Sequence, residues 1–136
     1  MMEKSLVLIK PDAVEKNLIG KIISFYENEG LKIVELRMQK VSEGFASKHY
    51  AEHKGKSFYE ELIKFITRSP LCALVVEGEG AIQKVRKING ATNPEKAEEG
   101  TIRRLYALDK SKNCVHSSDS TESAIREINL WFPELI

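Results

Sequence analysis

The stretch NCVHSSDST, residues 113–121, sets a histidine among small, mostly polar residues. An imidazole with an ordinary pKa near 6.5 is about three quarters neutral, and so nucleophilic, at pH 7. His116 therefore serves either packing or chemistry. Elsewhere the chain scatters Lys10, Arg86, Arg103, Arg104, Thr92 and Asn113 on or near expected loops. Each alone reads as a solvated surface residue. Together with His116 they fit a phosphate-handling site, because a nucleotide polyphosphate needs guanidinium forks, an ammonium and usually magnesium.

Other chemistries find less support. There is no GxxxxGK[ST], and GEGAIQK (78–84) lacks the third glycine of a dinucleotide loop, so it reads as a strand-to-helix turn. His49 and His53 stand four residues apart, but HYAEH lacks the glutamate placement of HExxH and reads as a surface pair. Cys72 and Cys114 match no CxxC or disulfide framework, and we expect reduced, buried thiols in a cytoplasmic protein. Twenty-one basic against twenty acidic residues leave a net charge of +1, so any anion must be met by a local cluster. The start MMEKSLVLIKPD has too short an apolar run for a signal peptide or a membrane span, and no membrane partner is expected.

The elements that must position these residues follow from apolar periodicity. Ser5–Ile9 reads as a buried strand stopped by Pro11, and residues 13–28 as one amphipathic helix ending before Gly30. Residues 31–41 alternate, with Val34, Leu36 and Met38 on the inward face of a half-buried strand. Two short helices fill 42–69, a central strand LCALVVEG spans 71–78, and a helix runs from Ala81 to Ile88. Residues 91–112 lack periodicity, as functional loops often do. Residues 120–132 form a last helix capped by Asp119 or Ser120, with Trp131 and Phe132 as its buried end. One domain, 1–136, is expected, without repeats or linkers. Two strand–helix–strand halves suggest a four-stranded sheet with helices packed on one face, the split ferredoxin-like arrangement.

IKPDAV (9–14), TNP (92–94), GTIR (100–103) and NCVHSSDS (113–120), in this order and spacing, resemble nucleoside diphosphate kinase over nearly the whole chain. The resemblance implies an α/β fold of the α+β sandwich type, a ferredoxin-like four-stranded antiparallel sheet with helices packed around it. It implies ping-pong transfer of a γ-phosphoryl group from a nucleoside triphosphate to a nucleoside diphosphate, such as ATP or GTP to GDP or ADP. The carrier would be a phosphohistidine on His116, the cofactor Mg2+, the base specificity low and the assembly a homo-oligomer; nucleic acid is not required. Lys10 would meet the transferred phosphate and reach the ribose hydroxyls. Arg86, Thr92 and Arg103 would be phosphate ligands and Asn113 a sugar contact. Tyr50 would lie beside the histidine, Phe58 would stack on the base and Leu62 would give it an apolar neighbour. Ser118 and Glu127 would hold the catalytic ring, and magnesium would travel mainly on the nucleotide phosphates rather than on protein ligands.

Three departures mark this chain. Ser117 stands where the family usually has Gly or Ala, KSFY (56–59) replaces RPFF, and Arg104 is an additional arginine after GTIR. The second loosens the segment presenting Phe58, and Tyr59 could take its place. Two other classes compete: a nucleotide- or RNA-binding module on a ferredoxin-like sheet, which the neutral charge and the lack of an RNP-like aromatic strand disfavour, and a histidine phosphocarrier docking to proteins.

Overall fold

The run LCALVVEG has no polar alternation, and such a strand needs cover on both faces. It becomes β3 (Leu71–Glu79), buried from Leu71 through Val76. The computed structural model describes residues 2–135, so Met1 and Ile136, the ends of the expected 1–136 unit, lie outside the described residues. β1 (Met2–Ile9) pairs with β3 antiparallel from Met2↔Glu79 to Ile9↔Cys72. β2 (Lys32–Gln39) flanks β3, and β4 (Val115–Ser117) flanks β1. The order β2-β3-β1-β4, antiparallel throughout, is that of a ferredoxin-like sheet.

Helices cover both faces, not one, because β1 and β3 are apolar on both. Leu6, Leu8, Ala73 and Val75 pack against α3 (Glu43–His49), α4 (Tyr59–Thr67) and α7 (Thr121–Trp131). Val7, Ile9, Leu74 and Val76 pack against α2 (Ile19–Asn28), α5 (Ala81–Asn89) and α6 (Ile102–Tyr106). Each fully buried Leu, Ile or Val contributes about 1.5–3 kcal/mol, so the centre of the sheet anchors what hangs on it. The short β4 hangs there, with Val7↔Ser117, Leu8↔His116 and Ile9↔Val115 as its register.

Three local expectations change. The helix expected over 13–28 is broken: α1 (Pro11–Glu15) ends, Asn17 turns left-handed at φ 61, and α2 begins at Ile19. In β2 a bulge between Ile33 and Glu35 reverses which face later residues present. Val34 packs on the core, while Leu36 and Met38 are 58% and 54% exposed. Residues 91–112 contain a 3-10 turn at Pro94–Lys96 and helix α6, whose N-cap Thr101 accepts from the Arg104 amide.

Elsewhere the reading holds. Gly80, left-handed at φ 61, turns the chain from β3 into α5. Ser120 rather than Asp119 caps α7, in a reciprocal box with Ser123. Trp131 and Phe132 are buried, and Cys72 and Cys114 are free, buried thiols whose pKa values burial raises to about 11 and about 12.

Candidate functional site

Two segments distant in sequence assemble the site. Pro11 starts α1, which needs no amide hydrogen at that position, and Lys10 and Asp12 on either side of it grip the segment that leads into β4. The Lys10 amide donates to the Cys114 carbonyl at 2.8 Å, and the Cys114 amide donates to Asp12 Oδ2 at 3.1 Å. Cys114 itself is left-handed at φ 74, a conformation a non-glycine residue keeps only under such constraint. The Lys10 side chain then donates to Asn113 Oδ1 at 2.9 Å. Burial, then the charge of Arg103, brings the Lys10 pKa down to about 8.

His116 follows on β4. Its Nε2 lies 3.1 Å from Glu127 Oε1, and the same oxygen accepts from Ser118 Oγ at 2.9 Å. Ser118 Oγ also accepts from the Leu6 amide, tying this carboxylate to the central sheet. Glu127 is buried on α7, and His116 reaches a cleft of about 1140 Å³. The other ring nitrogen, Nδ1, has no hydrogen bond among the described residues and is the one available to a substrate.

The cleft brings together Lys10, Tyr50, Leu62, Arg86, Thr92, Arg103, Asn113, His116 and Glu127. Arg103 donates through both terminal nitrogens, to the carbonyls of Gly90 and Val115, each at 2.8 Å. Gly90 sits at φ 89 where a Cβ would lie 2.5 Å from Thr101 Oγ1, so only glycine lets the chain approach there. Arg86 donates to the Asp119 carbonyl at 3.3 Å, and Asn113 Nδ2 to the carbonyls of Lys110 and Thr92. Tyr50 is buried, which pushes its phenol pKa up.

Two expected residues lie off the wall. Ser118 is fully buried behind it. Phe58 is 43% exposed and N-terminal to α4, its ring 5.5 Å from that of His53, which does line the cleft. The Lys56 ammonium lies 5.8 Å above the Phe58 ring, so KSFY still puts a cation on that ring. Arg104 turns away to the Glu95 carbonyl.

Ser117 has a partner. Its Oγ accepts from Asn89 Nδ2 at 3.2 Å, and Asn89 Oδ1 accepts from the Tyr26 hydroxyl at 2.6 Å. Asn89 and Tyr26 are fully buried, so this chain of bonds ties α2 and α5 to the strand carrying His116. Sequence reading missed Asn89 and Asp12, and no spacing rule marks either. It also placed His49 on the surface, whereas His49 is 4% exposed and accepts a hydrogen bond from Trp131. An apolar neighbourhood formed by α7 is not visible from the HYAEH spacing.

Could the cleft hold a metal? Donor atoms of His49, His116 and Glu127 lie within 4.8 Å of one another. Trp131 already occupies His49 Nδ1, and Glu127 already engages His116 Nε2, so one nitrogen of each histidine is committed to a hydrogen bond. Cationic side chains outnumber carboxylates along the wall, Glu52, Glu98 and Asp119 included, and that excess does not suit a hard cation seeking several oxygens.

A family model for nucleoside diphosphate kinase matches residues 3–135. The chain belongs to the nucleoside diphosphate kinase family. A nucleoside diphosphate kinase of Clostridium perfringens strain SM101 is 63% identical over 134 residues, covering 98% of this chain and 94% of that one. One of Staphylococcus epidermidis is 55% identical over 131 residues, covering 96% and 88%. The crystal structure of the Aquifex aeolicus nucleoside diphosphate kinase superposes with a TM-score of 0.95 at 40% identity, covering 99% of this chain and 98% of that chain. Membership makes this chain a nucleotide-binding phosphotransferase, of a kind that generally needs a divalent cation. No helix among the described residues is long and apolar enough to cross a membrane.

Proposed function

We propose that the chain transfers the γ-phosphoryl group of a nucleoside triphosphate to a nucleoside diphosphate through a phosphohistidine on His116. The observation that carries this reading is the ring's orientation: Glu127 engages Nε2 and leaves the Nδ1 lone pair for phosphorus. In the first half-reaction Nδ1 attacks the γ-phosphorus, the bond to the β,γ-bridging oxygen breaks, and the diphosphate leaves. The positive ring that results keeps its Nε2 proton, which Glu127 accepts as a charged hydrogen bond. The second half-reaction runs this in reverse with a new diphosphate, giving ping-pong kinetics.

Charge spreads over the transferred oxygens as the bonds exchange, so fixed cations are what the protein must supply. Lys10, Arg86 and Arg103 converge on the cleft, with Thr92 as a hydroxyl donor and Asn113 toward the sugar. Tyr50 lines the same cleft as the histidine and Ser118 supports Glu127. Mg2+ would enter on the nucleotide, neutralising phosphate charge, since the one cluster of possible metal ligands among the described residues, His49, His116 and Glu127, holds a single carboxylate. Phe58 and Leu62 give the base a ring and an apolar surface without base-specific hydrogen bonds, which favours low base specificity. We place the enzyme in the cytoplasm as a homo-oligomer of single-domain chains.

The test is a chase. Incubation with γ-labelled ATP and magnesium should put an acid-labile, alkali-stable label on the protein that CDP then removes. Retention of that label by His116→Ala would sink the mechanism.

A further inference from the structure

His49 is a buried titratable group that the transfer described above leaves unused. It closes α3, and Trp131 Nε1 donates to its Nδ1 at 3.1 Å. An indole N–H can only donate, so Nδ1 keeps its lone pair and the ring proton sits on Nε2. Protonated histidine has no acceptor nitrogen, so this bond exists only with an uncharged His49. The ring then meets that of His116 edge to face, with centroids 4.7 Å apart and planes at 82°.

We propose that His49 is a positioning residue for His116: pinned by Trp131, it forms an uncharged aromatic wall that fixes the plane of the nucleophilic ring. The inference rests on the phosphohistidine reading. The hydrogen bond to Glu127 holds one ring atom but lets the ring swivel about that bond. A second contact against the ring removes the swivel, and misplacing a reacting atom by about 1 Å costs up to about 100-fold in rate. The surroundings keep the wall uncharged. Burial, and then His116 on β4, Lys10 after β1, Arg126 on α7 and His53, hold His49 well below its ordinary pKa. Glu127 is the anion that faces the cluster, and its nearer oxygen is shared by His116 and Ser118. A cation at His49 would repel the positively charged ring that phosphorylation creates.

Two substitutions separate the wall from the pin. His49→Asn puts an oxygen where Nδ1 stands and can still accept from Trp131, but has no ring. His49→Phe keeps a ring and cannot accept. Single-turnover phosphorylation by Mg-ATP should fall about tenfold in H49N with the half-saturating ATP concentration unchanged. H49F should lose less rate and more Tm. In the wild-type enzyme, long-range 1H–15N NMR should show His49 neutral, with its proton on Nε2, from about pH 6 to 8. H49N reacting at the wild-type rate, rate losses that simply track Tm in both variants, or His49 titrating in that window would each overturn the proposal. The wild-type trace comes first: absence of a phosphohistidine there refutes the reaction itself, and this role with it.

Discussion

Burial strips the Lys10 ammonium of water, and the Arg103 charge opposes it further, so its pKa falls from 10.5 to about 8. The unfolded chain therefore binds more protons than the folded one between about pH 8 and 10.5, and Lys10 makes stability rise with pH across that window. Activity should go the other way, because phosphate needs the charged form. We expect kcat/KM to fall as pH rises through about 8, and the corresponding limb of kcat to lie higher, since bound phosphate favours the ammonium. Lys10→Arg should remove the alkaline limb of kcat/KM while lowering the rate; a limb unchanged in that variant would assign it elsewhere. At Glu127 the expected effect is on chemistry alone. Glu127→Gln retains an acceptor for His116 and Ser118 but not the charge that offsets the phosphorylated ring, and should slow single-turnover phosphorylation about 10–100-fold with little change in Tm. Equal loss of Tm and rate would reduce Glu127 to a structural part.

Between elements, the Tyr26–Asn89–Ser117 chain carries its own prediction. Asn89→Leu would leave a buried tyrosine hydroxyl and the Ser117 hydroxyl without partners, and should cost about 2–4 kcal/mol in urea unfolding. Ser117→Ala should cost about 1 kcal/mol, since only one bond is lost. Equal costs would mean that Ser117, not Asn89, holds the chain together. The elements also show what a sequence displays. Strand and helix order was legible because β1 and β3 are continuous apolar runs and α2 and α7 carry helical apolar periods. The α1–α2 break was not, since Asn17 turns left-handed inside a pattern that stays helical on either side. The β2 bulge adds one residue and exchanges faces without altering the alternation seen in sequence. Helix α6 was missed although Thr101 is a regular N-cap, because a five-residue helix is too short to show a period. The cleft residues Lys10, Arg103 and His116 were legible because each stands in a motif that the sequence displays, KPD, GTIR and NCVHSSDS. Asn89 and His49 were not, because their partners lie 63 and 82 residues away along the chain.

For the whole molecule, β2 is an edge strand with Leu36 and Met38 exposed beside its unpaired backbone. Apolar edges of this kind pair with other chains. Light scattering should give a mass above the 15.4 kDa of one chain, and Leu36→Lys with Met38→Lys should lower it; an unaltered mass would move the interface to another face. The central claim concerns one atom. The phosphoenzyme formed from Mg-ATP, quenched in alkali and examined by 31P and 15N NMR, should carry phosphate on Nδ1 of His116. Phosphate on Nε2, the nitrogen held by Glu127, or on any other residue would contradict the account.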